Sequence, residues 1–320
     1  MHPYHDIPPK SRWKDAVAAR SPFDVSDLWD PKFPIAQGTP VVTFGAGVAQ
    51  QFARALTARG MAWFDAEPAP RIVSKRLAQQ FGYRRFSART AAIDTPSLLL
   101  QWLRWAFAEA AIPGEVWIKG ERFIDPFRPQ IEPDGFASPE TVTRMRDLTL
   151  AALRDCVTKS EVFVFALGQT ESWFHRDGYE YPICPGTAGG TFDRDRHIFV
   201  NQRFSQVHAA LGEAITLMRR HNPQIRILLT VSPAPLIATN SGDHILVATT
   251  QSKSILRAAA AELSAAQAFV DYFPGYEIVS APTFRGMFLE PDQQSISPAG
   301  VDFIMRCFFD AQERMFGMHR

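Results

Sequence analysis

Cysteine is scarce in this chain. Cys156, Cys184 and Cys307 are odd in number and far apart, so no disulfide framework or zinc-ligand spacing can be read from them. An excess of either charge is lacking too, since 34 basic residues meet 33 acidic ones for a net charge of +1. That balance leaves no footprint for nucleic acid and no basic patch for a membrane surface. No apolar run approaches the ~20 residues of a membrane span. The stretch Met1–His2–Pro3–Tyr4–His5–Asp6 has neither the charged nor the apolar region of a secretory signal. These absences lead us to expect a soluble, cytoplasmic protein with no metal site and no cofactor.

What the chain has is length and apolar content. Its 320 residues, 46% hydrophobic, can bury a large core. The runs Val162–Leu167 and Ile225–Val231 are almost continuously apolar, as strands covered on both faces of a parallel sheet are. Val41–Phe44, Met61–Asp65, Phe269–Tyr272 and Tyr276–Val279 read as further strands. Between them lie helical patterns. Thr95–Pro96, Ser138–Pro139 and Ser297–Pro298 each pair a capping residue with proline at the first helical position. Val207, Leu211, Ile215 and Met218 make an apolar stripe that ends before His221–Asn222–Pro223. Strands alternating with helices predict a three-layer α/β/α sandwich with a mainly parallel sheet. Residues 1–38, rich in proline and aromatics, read as an N-terminal extension to a domain over 39–320. Residues 171–202 read as a large polar, aromatic loop insertion, and loops that long tend to carry function or to be mobile.

The most informative stretch is Val41–Val42–Thr43–Phe44–Gly45–Ala46–Gly47–Val48–Ala49–Gln50. A β-branched run ends in a small-residue turn and a helical pattern follows, which is where open α/β sheets place their chemistry. A hydrolase built on this turn would carry a nucleophile, and the chain has Ala46. By spacing alone Gly45-x-Gly47 also fits a dinucleotide turn, with Asp65 or Glu67 about 20 residues on as the ribose acid. Gln50 then stands where a third small residue is needed. On the plainest reading the two glycines only turn the chain.

Motifs extend well beyond the turn. Asp125–Pro126–Phe127–Arg128–Pro129 and Gly135–Phe136–Ala137–Ser138 are followed by Val164–Phe165–Ala166–Leu167–Gly168–Gln169–Thr170–Glu171–Ser172–Trp173. Further on come Cys184–Pro185–Gly186, Thr230–Val231–Ser232–Pro233–Ala234–Pro235–Leu236, Ser252–Lys253–Ser254–Ile255–Leu256–Arg257 and Tyr272–Phe273–Pro274–Gly275–Tyr276–Glu277. In order and spacing these resemble the GSCFA family, a branch similar to the SGNH hydrolases. Gly45–Ala46–Gly47–Val48–Ala49–Gln50 stands where that family has Gly-Ser-Cys-Phe-Ala-Gln.

The resemblance implies a serine at the turn, a histidine that takes its proton from an Asp-x-x-His loop, and amide donors for the oxyanion. At those positions this chain has Ala46, Asp292 and Ser295, and Ala91–Ala92 replace a Gly-Asn pair. No catalytic residue is intact in that alignment. The resemblance then implies an inactive homologue, a pseudoenzyme. It would hold a carbohydrate or an acylated ligand, or partner an active paralogous enzyme of polysaccharide modification. The ligand contacts to expect are Gly45, Gly47, Gln169, Glu171, Trp173 and Ser232. Two other readings stay open: an O-acyl esterase or acyltransferase using displaced residues, and a nucleotide-binding protein using Gly45 and Gly47. His175 and His197 read as idle loop histidines, and Lys253 with Arg257 as a solvated helix face or an anion contact.

Overall fold

A computed structural model describes residues 2–317. They divide into two compact units: residues 37–272, and a second made of the chain up to Ala36 together with that from Phe273 onward. The strands are β1 (Val41–Gly45), β2 (Trp117–Lys119), β3 (Arg122–Ile124), β4 (Val162–Leu167), β5 (Glu171–His175), β6 (Glu180–Tyr181), β7 (His197–Asn201), β8 (Arg226–Val231) and β9 (Val270–Tyr272). The helices are α1 (Val48–Ala58), α2 (Lys75–Gln80), α3 (Pro96–Ala106), α4 (Pro139–Lys159), α5 (Phe204–His221), α6 (Ile245–Ala266), α7 (Gly275–Ser280) and α8 (Pro298–Phe316).

The larger unit is organised on a parallel sheet of order β1-β4-β8-β9. Every residue of β1 and β4 is buried, which requires cover on both faces, as the continuous apolar runs predict. Phe44 and Phe163 stack at 5.1 Å across β1 and β4. Helices flank this sheet, giving the expected three-layer α/β/α arrangement. The capping signals hold as well. Thr95 accepts from the Leu98 amide and Ser138 from the Thr141 amide, each beside a proline. Val207, Leu211, Ile215 and Met218 of α5 are fully buried. Asn222 ends that helix by donating its side-chain amide to the Val157 and Ser160 carbonyls at 2.8 Å.

Three segments differ from expectation. Met61–Asp65 makes only a single bridge, Trp63 to Val41. Tyr276–Val279 is not a strand but lies within α7, because the Ile278 amide returns to the Pro274 carbonyl and buries Ile278 and Val279. Residues 171–202 contain an antiparallel sheet of order β6-β5-β7.

In the smaller unit, α8 carries the apolar face that Ser297–Pro298 announces, and Ser297 caps it on the Gly300 amide. Trp29 stacks on Phe308 at 5.4 Å, and Gln312 bonds the Ile35 amide and the Phe33 carbonyl. Among the described residues no helix is long and apolar enough to cross a membrane.

Candidate functional site

The end of β1 decides what the turn can do. Gly45 has φ +114, and a Cβ there would meet the Ala166 carbonyl oxygen at 2.2 Å. Only glycine lets β1 and β4 run side by side to their ends. Ala46 follows, buried at 5% exposure, its amide donating to that same Ala166 oxygen at 2.8 Å. Gly47 is exposed, has helical φ −51, and has open space where a Cβ would go. The first turn of α1 has no side-chain cap. Gly45 is thus explained by its neighbouring strand, and neither glycine needs a pyrophosphate to account for it.

Backbone bonds stitch other segments to this edge. The Ile93 amide reaches the Gly45 carbonyl, the Gly168 and Gln169 amides reach the Asp94 carbonyl, and the Ser232 amide reaches the Leu167 carbonyl. The carboxyl ends of β1, β4 and β8 are therefore gathered with residues 93–94 at one edge of the sheet, the place where open α/β sheets bind ligands. Ala91, just before this junction, sits at φ +60, a left-handed conformation that glycine adopts freely and alanine does not.

A family model matches residues 40–308, that of the GSCFA family. The chain belongs to the GSCFA family. No curated protein and no solved structure matches it.

In this GSCFA chain the residues expected at the ligand are held in different ways. Gln169 is half-buried and donates to the Glu171 carbonyl at 3.1 Å. The Glu171 carboxylate is buried and takes the Thr239 hydroxyl at 2.5 Å and the Asn240 amide at 3.3 Å, which ties the start of β5 to the loop after β8. Trp173 is half-buried on the small sheet, against Phe192 and Phe199. Ser232 is buried at the end of β8.

Asp292 and Ser295 belong to the smaller unit and are exposed. The Ser295 hydroxyl donates to Asp292 at 2.7 Å, and the Gln294 and Ser295 amides donate to it at 2.9 Å. These bonds hold the Asp292 carboxyl below the usual carboxylate range. A tight aspartate turn is thus complete with serine in the position the family resemblance gives to histidine.

Two expectations are corrected. Lys253 is not on a solvated face: it is buried, and its Nζ donates to the Gly168 carbonyl at 2.5 Å. Burial pushes its ammonium down to about 8, against the opposing charge of Asp94. Asp94 in turn is pushed up by burial, which the Lys253 charge only partly offsets. Arg257, one turn on, lies 4.0 Å over the Tyr272 ring. The histidines are not loop residues: His175 and His197 are buried, and they face each other across β5 and β7. Their rings pack with Tyr179 and Tyr181, and burial lowers His197 below the usual imidazole value.

One cluster escaped the sequence reading. Glu180, fully buried on β6, accepts from the Thr95 and Ser97 hydroxyls at 2.5 Å each. Burial raises its carboxyl to about 7, although these bonds pull the other way. Gln202 donates to both Ser97 and Ser172 at 2.7 Å. Ser97 also lines a cleft of about 310 Å³ with Gln101, Arg104 and Tyr179. The capping residue Thr95 was visible in the sequence, but its partner lies 85 positions away and nothing local signals it. Among the described residues there is no cluster of His, Cys, Asp or Glu able to hold a metal ion.

Proposed function

We propose that this GSCFA protein binds a carbohydrate or an acylated small molecule at the carboxyl edge of the sheet without hydrolysing it through the elbow. The single observation that carries this reading is Ala46. Its methyl group stands at the strand-to-helix turn, on a backbone fixed by Gly45 and Ala166, and a methyl group cannot attack an ester. The gathered strand ends and the open space at Gly47 support retention of a binding edge. Removing such a nucleophile forfeits most of the roughly million-fold effect that a triad supplies. A binding role, alone or as partner to an active paralogue, does not depend on the missing serine.

The test is a thermal-shift screen with acetylated and unmodified oligosaccharides, since a ligand that binds only the native state raises its melting temperature. A saturable rise that Gly47→Trp abolishes supports the reading. The absence of any shift across the series defeats it.

A second reading, an acyl-transfer enzyme with displaced residues, is favoured by one observation. Ser97 lines a cleft and is hydrogen-bonded to a carboxyl held near neutrality, the pairing of a nucleophile with a base. Labelling of Ser97 by a fluorophosphonate would replace the first reading with this one.

A further inference from the structure

The flank of α1 forms a second concavity. Gln50, Arg54 and Thr57 recur at four- and three-residue spacing and make one wall of a groove of about 570 Å³, within the range of small-molecule sites. The facing wall carries Trp63, Arg84 and Arg85. The elbow is at the start of α1, whereas this groove follows the side of the helix.

Three guanidinium groups therefore line one groove, and no aspartate or glutamate lines it with them. Arg84 and Arg85 have no hydrogen-bond or ion-pair partner among the described residues, and Arg54 has only a 3.5 Å contact to Gln51. Asp65 is the acid whose charge is felt at Arg84, and it lies beyond ion-pair distance. Like charges gathered without compensation repel one another and are relieved by an anion. Arg84 also has φ +59, and strained backbone in a non-glycine residue is a recurrent mark of ligand sites.

The groove offers a flat surface as well. Trp63 is half-buried, and its Nε1 donates to the Thr43 hydroxyl at 3.0 Å, which fixes the plane of the indole. Guanidinium forks match the oxygens of a phosphate, an indole face takes a sugar ring or a base, and the Gln50 amide can bond a ring hydroxyl. We propose that this groove binds a phosphate ester carrying a ring, with Arg54, Arg84 and Arg85 on the phosphate and Trp63 against the ring. A sugar phosphate and a nucleotide share this chemistry.

Calorimetric titration of the full chain with glucose 1-phosphate, uridine diphosphate, inorganic phosphate and maltotriose tests it. At least one of the two ring esters should bind saturably, and the tighter of them identifies the source. Inorganic phosphate should bind at least tenfold more weakly, and any heat from maltotriose, which has no phosphate for the arginines, should be the same in the parent and in Arg84→Ala/Arg85→Ala. The double variant Arg84→Ala/Arg85→Ala should weaken the ester at least tenfold. Trp63→Phe should weaken the ester but not inorganic phosphate. Ala46→Ser should leave both unchanged, which separates this groove from the elbow. Both arginines are exposed, so the double variant should keep the parent melting temperature. No saturable heat from either ester, or binding that survives in the double variant, overturns the proposal. Inorganic phosphate binding as tightly as the esters overturns the role of Trp63.

Discussion

Gly45 and Ala166 approach so closely that a single added carbon on Gly45 would lie 2.2 Å from the Ala166 carbonyl oxygen. The contact joins the last residue of β1 to the penultimate residue of the parallel strand β4 and fixes the direction in which the chain leaves the sheet. Gly45→Ala combines that collision with φ +114. It should destabilise the fold by about 3–5 kcal/mol, the sum of backbone strain and overpacking. Gly47→Ala, with helical backbone and open space, should stay within about 1 kcal/mol of the parent. Urea unfolding of the two variants checks the contrast, and equal losses would show that the approach of the strands does not govern the turn.

Catalysis through the elbow should be absent. The protein should release p-nitrophenol from its acetate ester no faster than a heat-killed control, and Ala46→Ser should not change this. Restoring the hydroxyl supplies one member of a triad and not the histidine that must take its proton. Turnover gained by Ala46→Ser alone would mean that a base is already in place.

Ala91 should prefer to be glycine. At φ +60 an alanine carries about 1 kcal/mol of strain that glycine relieves, while glycine gives back part of it through unfolded-chain entropy. Ala91→Gly should therefore raise stability by about 0.5 kcal/mol in chemical unfolding. A loss of stability would show that the Ala91 methyl packs more strongly than its backbone is strained.

Glu180 should make stability depend on pH. Its carboxyl is raised from 4.5 to about 7 in the folded protein, so the folded state holds the proton more tightly than the unfolded chain does. The associated stabilisation is full below about pH 4.5 and is lost as pH rises through about 7. The difference between the parent and Glu180→Gln should shift against the parent by about 3 kcal/mol over that window. His197 and Lys253, lowered by burial, titrate with the opposite sign. Comparing parent with variant removes their effect. A flat difference from pH 4.5 to 7.5 would mean that Glu180 is ionised in the fold throughout.

Much of the fold was legible. Thr95, Ser138 and Ser297 announced three helix starts because capping is a bond between residues three apart, and proline after each removes an amide that would have no partner. Val162–Leu167 read as a buried strand because a fully covered strand has no polar side to show. Tyr276–Val279 misled because a short apolar run fits strand or helix equally, and the bond from Ile278 back to Pro274 settled it. The sheet within 171–202 was hidden because its strands are short and separated by glycine and proline, and its pairing is set by tyrosine and histidine packing.

By itself the sequence determined the four strands of the main sheet, the starts of α3, α4 and α8, the family, and the absence of a nucleophile at Ala46. Each of these follows from residue type and near-neighbour spacing. Tertiary structure alone decided that Lys253 is buried beside Asp94 and Gly168, that Glu180 meets Ser97 and Thr95, and that Arg54, Arg84 and Arg85 line one groove. Such meetings join residues tens of positions apart, and burial then sets their protonation. A charge's solvent and partners are properties of the folded neighbourhood, and no local stretch of chain contains them.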